Sequence, residues 1–153
     1  MSLQLIGGDL WEFHRQGAVI AVTTGGLVKK DGSCAMPNGC ARQAAERYPK
    51  IPYVLGEQIR HFGMHVFDLG NRIVAFPVEN SPYENPELGI IARSCRELVE
   101  LADYKGWCDI VVPRPGCGMG GLQWKEVAPI LAAHFDERFR IIDKLENVNN
   151  ESS

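Results

Sequence analysis

Two apolar runs, each breaking into a glycine-rich loop, constrain this chain more than any other feature. Residues 18–22 read AVIAV, an unbroken apolar stretch with β-branched side chains. Such a run fits a strand buried on both faces. It stops at Thr23-Thr24-Gly25-Gly26, and the loop passes Gly32 and Pro37 before Asn38-Gly39-Cys40-Ala41 opens a helical pattern. Residues 109–113 (DIVVP) are a shorter version, followed by Gly116-Cys117-Gly118-Met119-Gly120-Gly121. Strands of this kind need helices above and below them, and ligands in such sheets collect at the carboxyl ends of the strands.

The rest of the chain alternates in the same way. Residues 3–6 read as a short strand, and Gly7-Gly8-Asp9 turns into a short helix over 11–15. Helices are expected over 40–47 and 56–62. Residues 65–69 and 72–76 flank Gly70-Asn71, a hairpin signal. Residues 80–86 form a polar loop with two prolines. The clearest helix covers 88–104, where Leu88, Ile91, Ala92, Cys95, Leu98, Val99 and Ala102 make one apolar stripe. A second covers 124–135, with Pro129 disturbing its first turn. Residues 139–142 close as a strand. The expected division is one domain over 1–143 and a polar, disordered tail over 144–153.

A chain of 153 residues can bury one proper core. No apolar run approaches the roughly 18–20 residues that cross a bilayer, so no membrane partner is expected. The start lacks a charged-then-apolar leader pattern, and the expectation is a cytoplasmic protein. A net charge of −3 gives no general attraction to nucleic acid. Five cysteines, none in C-x-x-C spacing, read as reduced thiols rather than as a disulfide framework or a zinc site. The four histidines share no metal spacing. No metal and no cofactor are expected.

Glycine lets a backbone come close to a ligand, and exposed N–H groups ahead of a helix suit a phosphate. Two such loops at equivalent strand ends suit a diphosphate. The second loop is not a Walker motif, because no Gly-Lys-Ser/Thr ends it. It is not the dinucleotide fingerprint of a first strand either.

Taken in order, Gly8-Asp9-Leu10, AVIAVTTGG, MPNGCARQAAERYP and VVPRPGCGMGGLQW resemble the macro-domain superfamily. PRPGCGMGGLQW is the most specific segment, similar to the branch that contains stand-alone bacterial and phage domains and the deacylating, DNA-deADP-ribosylating or ADP-ribose-1''-phosphate-cleaving members. The resemblance implies a three-layer α/β/α sandwich with a mixed, mostly parallel sheet. It also implies ADP-ribose, or an ADP-ribosylated macromolecule, as the partner. It places Asp9 and the Leu10 backbone at the adenine, and Asn38, Gly39, Cys40 and Ala41 at one phosphate-facing loop. Residues Gly116, Cys117, Gly118, Met119, Gly120 and Gly121 would form the other, with Thr23, Thr24 and Gly25 at the terminal ribose.

The sequence departs from that pattern. Gly25 stands where many members carry an asparagine, and Pro37 where a glycine is usual. The lysine of the lysine-and-acid hydrolases is replaced by Glu79, and their acid falls near Gly120. The carboxylates left for catalysis are Asp31, in the first loop, and Glu79, at a strand end. Each also reads as a solvated loop residue, and Asp9 also reads as a plain helix N-cap. Cys117 could be a nucleophile if helix N–H groups lowered its pKa, but the resemblance assigns it to packing. Three functions follow: a non-catalytic reader of ADP-ribose, a hydrolase of ADP-ribosyl linkages or of ADP-ribose-1''-phosphate, and, last, a Cys117-dependent hydrolase.

Overall fold

A computed structural model describes residues 3–118 and 121–144. Its elements run β1 (Gln4–Gly7), α1 (Leu10–Arg15), β2 (Val19–Thr24), α2 (Gly39–Arg47), α3 (Ile51–Phe62), β3 (Phe67–Asp68), β4 (Ile73–Pro77), α4 (Leu88–Lys105), β5 (Ile110–Val112), α5 (Trp124–His134) and β6 (Phe139–Lys144). The sheet order is β1-β6-β5-β2-β4-β3. All neighbours pair in parallel except β3, which runs antiparallel to β4 at the edge. The expected mixed, mostly parallel sheet is therefore present.

The pleat of β2 divides the core in two. Ile20 and Val22 point toward Leu10, Ala41, Ala44, Ile51 and Leu55, from α1, α2 and α3. Val19 and Ala21 point toward Ile91, Cys95, Leu98, Val127 and Leu131, from α4 and α5. Helices thus cover both faces, as the unbroken AVIAV run requires. In α4 the stripe Ile91, Cys95, Leu98 and Ala102 is fully buried, and Gly106 ends the helix in the left-handed region at φ 73°.

Three boundaries differ from the sequence reading for identifiable reasons. Helix α3 starts at Ile51, not at Gly56. Pro52 lies in its first turn, where a missing N–H costs nothing. Strand β3 is only Phe67–Asp68, because the Val66 N–H donates to the Glu97 carboxylate (2.9 Å) instead of to the ladder, and His65 Nδ1 meets the same carboxylate at 2.8 Å. Strand β6 reaches Lys144, one residue past the expected domain edge; 145–153, most of the expected tail, lie outside the described residues. The hairpin sits where Gly70-Asn71 placed it, with Gly70, Asn71 and Arg72 all at positive φ. The Arg72 guanidinium donates to the carbonyls of His14 and Ala18 and holds that strained turn.

Candidate functional site

The carboxyl ends of β2, β4 and β5 bring three loops together. The first, 25–38, is a small hairpin of its own. Val28 bridges Cys34, and the Ala35 N–H donates to Leu27 O (2.8 Å). Helix α3 holds it from outside: Cys34 N–H donates to Pro52 O (2.8 Å), and Tyr53 Oη donates to Asp31 (3.3 Å). The fit is close. A Cβ on Gly56 would overlap the Gly32 carbonyl oxygen and press on the Cys34 nitrogen at 3.1 Å. That is why a buried glycine sits in the middle of α3.

The second loop, after β5, is tied mostly to itself. Leu122 N–H donates to Gly116 O (2.7 Å), and Gly121 N–H donates to Gly118 O (2.8 Å). Gly116 needs its φ of 73°, and a side chain there would meet Ile91 Cδ1 at 2.9 Å. A Cβ on Gly121 would overlap Gly116 O and lie 3.2 Å from Gly118 O. Met119 and Gly120 lie outside the described residues.

The third loop, 79–87, bridges the other two, and sequence reasoning saw it only as a polar connection. Gly26 N–H donates to Asn80 O (2.9 Å), and a Cβ on Gly25 would meet Glu79 Cγ at 3.4 Å and Ser81 Cα at 3.5 Å. At its other end Pro86 Cβ lies 3.2 Å from the place a Gly116 side chain would occupy. The Ser81-Pro82 pair was the available signal of a defined turn.

Around these loops the expected site residues fall into two groups. Thr23, Thr24, Gly25, Glu79 and the 39–41 segment come together. Thr23 N–H donates to Cys40 Sγ (3.4 Å), so the start of α2 is stitched to the end of β2. Burial pushes the Cys40 thiol up, against the Thr23 donors. Leu10 and Ala41 turn their side chains into the core, which leaves their backbones for any ligand contact. Asn38 precedes α2 with extended backbone and makes no side-chain cap, no acid lies in the first turn, and Gly39 has φ 56°. That helix N-terminus is open to an anion. Thr24 is 3% exposed, and its Oγ1 has no partner among the described residues.

Asp31, Asp9 and Cys117 are differently placed. Asp31 is exposed at the hairpin tip; its carboxylate accepts from the Ser33 hydroxyl (2.7 Å) and the Ser33 N–H (2.9 Å), which hold it below the usual carboxylate range. Those contacts tie it to its own turn and to α3, not to Glu79. Asp9 caps α1 by accepting from Glu12 N–H at 3.2 Å. It follows β1, the edge strand, which lies four strand spacings from β4, roughly 19 Å. Cys117 packs against the α4–α5 core, its Sγ lies 3.6 Å from Pro115 O, and burial raises its pKa. A raised pKa works against a thiolate nucleophile. Arg114 is held by Asp143 and lies 4.7 Å over the Trp124 ring.

Glu79 is the one carboxylate at the meeting point of the loops with its charge unsatisfied: half-buried, without a hydrogen bond among the described residues, and shifted upward by desolvation. A groove of about 420 Å³ lies between α1 and the end of α2, with Asp9 in its lining. Its arginines are already engaged: Arg47 over Trp11 at 4.3 Å, Arg15 with Glu12, and Arg72 with backbone carbonyls.

No family model matches the chain. It is 24% identical over 150 residues to a DNA ADP-ribosyl transferase–DNA ADP-ribosyl glycohydrolase fusion protein of Thermosipho africanus, and the match spans 87% of this chain but 39% of that one. The macrodomain of Mycobacterium tuberculosis DarG superposes with a TM-score of 0.75 at 21% identity, over 95% of this chain and 98% of the other. The macrodomain of Thermus aquaticus DarG gives 0.73 at 20%, over 95% and 98%. Thermosipho africanus DarTG, solved in complex with ADP-ribose, gives 0.72 at 18%, over 97% of this chain and 44% of the other. These superpositions, each over at least 95% of this chain, give it the macrodomain fold.

Proposed function

We propose that the cleft formed by the three loops binds ADP-ribose, and that the chain acts on ADP-ribose attached to nucleic acid. The observation that carries this is the pairing of two glycine loops at the ends of the adjacent strands β2 and β5, beside the uncapped N-terminus of α2. Backbone N–H groups at the start of α2, with a glycine loop beside them, would suit a diphosphate. A ligand with its adenine at Asp9, beyond β1, would reach the ends of β2 and β4 with its second ribose, since those strands lie roughly 14–19 Å away across the sheet. The solved complex of a structural neighbour with ADP-ribose supports the ligand, and the relative's naming as a DNA ADP-ribosyl glycohydrolase supports the acceptor.

Glu79 favours a hydrolase over a passive reader. It lies against Gly25, where the second ribose would end, and its raised pKa makes it a better base than an ordinary carboxylate. Ionised, it would take the proton of a water as the water oxygen bonds to the ribose carbon and the acceptor leaves with the bonding pair. The first test is calorimetric titration with ADP-ribose, with AMP and ADP as controls. Saturable binding far tighter than to AMP is expected. Equal affinity for AMP, or no binding, would remove the diphosphate cleft from the reading.

A further inference from the structure

Tyr83 is 86% exposed, yet it does not belong to a loose segment. Its own N–H donates to Ser81 Oγ (3.0 Å), and Glu84 N–H donates to Ser81 O (3.0 Å), closing a turn around Pro82. The turn is anchored at both ends. Gly26 N–H donates to Asn80 O (2.9 Å), Asn80 Nδ2 donates to Glu87 Oε2 (3.3 Å), and Glu87 N–H donates to Val78 O (3.0 Å). A tyrosine ring held out in water by a pinned backbone gains nothing from the fold. Stacking on it costs little order, because only its two χ angles remain to be fixed.

Its place gives the ring a ligand. Loop 79–87 leaves β4, and Ser81 Cα lies at Gly25, where the second ribose of ADP-ribose would end. Whatever is joined to that ribose would then lie beside Ser81, two residues before Tyr83 in the same turn. We propose that Tyr83 reads the acceptor, by stacking on a nucleobase of ADP-ribosylated single-stranded nucleic acid. This rests on the ADP-ribose reading above. Aromatic faces accept any base, and the loop carries Glu79, Glu84 and Glu87 but no lysine or arginine, so recognition here is by stacking rather than by gripping phosphates. The contribution of the ring is therefore insensitive to ionic strength, unlike a phosphate contact.

The test compares Tyr83→Ala and Tyr83→Phe with the unaltered chain. Binding is measured to free ADP-ribose, to a single-stranded oligonucleotide ADP-ribosylated on a base, and to a peptide ADP-ribosylated on arginine. Tyr83→Ala is expected to leave the melting temperature and ADP-ribose affinity unchanged. It should weaken the oligonucleotide by roughly 5- to 150-fold, the range of one base–aromatic stack, by the same factor at low and high salt. Tyr83→Phe should restore most of that loss. Three outcomes would overturn the proposal: equal loss for free ADP-ribose, no loss for the oligonucleotide, or a larger loss for the arginine peptide. Failure of the unaltered chain to bind ADP-ribose sinks the cleft reading and this proposal together, which separates that case from a failure of Tyr83 alone.

Discussion

The two glycine loops leave neighbouring strand ends but are built on opposite plans. Loop 25–38 is a hairpin propped from outside, by α3 through Pro52, Tyr53 and Gly56 and by loop 79–87 through Asn80. The loop after β5 closes on itself through Gly116, Gly118, Gly121 and Leu122. Their helices differ to match. The start of α2 has no acid and no side-chain cap. The start of α5 holds Glu126, whose carboxylate accepts from the Gln123 N–H at 3.2 Å. In the proposed cleft an anion would therefore be held at α2 by a helix terminus, and at the second loop by backbone alone, because Glu126 already occupies the positive end of α5. The first loop depends on the fold, whereas the second depends on its own glycines.

Gly56→Ala tests the first half of that contrast and has the largest expected effect. The added methyl has to displace backbone, the Gly32 carbonyl, rather than a soft side chain. Overpacking of this kind costs roughly 1–3 kcal/mol, which lowers Tm by roughly 2–12 °C in a domain of this size. ADP-ribose affinity should fall with it, although Gly56 lies outside the cleft. An unchanged Tm with weakened binding would show that α3 does not support the loop through the fold.

Gly121→Ala tests the second half and should give the reverse proportions. The overlap is again with backbone, the Gly116 carbonyl, but both residues belong to the same loop, so the clash stays local. ADP-ribose affinity is expected to drop at least tenfold while Tm falls by less than in Gly56→Ala. A thermal loss as large as that of Gly56→Ala would break the contrast and make the second loop part of the core's support.

The same distinction explains what the sequence disclosed. The second loop was legible because the residues that shape it are consecutive, and a run such as PGCGMGG shows its own backbone needs. The buried strand AVIAV and the stripe of α4 were legible for the same reason, since periodicity is local. The prop beneath the first loop was not. Gly56 meets Gly32 across 24 positions of sequence, and read alone a glycine in a helical pattern looks like a helix start rather than a contact. Asp31 shows the cost of reading proximity from sequence: it stands in the right loop, but Ser33 and Tyr53 hold its carboxylate at the hairpin tip. Glu79 was identifiable at a strand end, but its closeness to Gly25 comes from β2 pairing with β4. The pinning of Tyr83 comes from contacts with Ser81 and Asn80 that no motif announced.

Glu79→Gln has the smallest effect on stability, and its sign is fixed by the direction of the pKa shift. Desolvation raises the folded-state pKa above the unfolded value of about 4.3. The group's favourable contribution is therefore complete below the unfolded pKa and is lost as pH rises through the folded one. At neutral pH the ionised side chain is a small cost that glutamine does not carry. Glu79→Gln should raise Tm slightly at pH 7, by less than the roughly 2–4 °C that 1 kcal/mol gives at this size. The difference should vanish well below the unfolded pKa, where both side chains are neutral. The same variant should keep ADP-ribose affinity within about threefold and lose turnover of the ADP-ribosylated oligonucleotide by roughly 100-fold or more, the scale of a general base. A lower Tm at pH 7 would mean that the carboxylate also props the first loop, extending outside support to the β4 side. Full turnover in the variant would show that Glu79 is not the base, whereas no turnover by the unaltered chain would make it a reader of ADP-ribose.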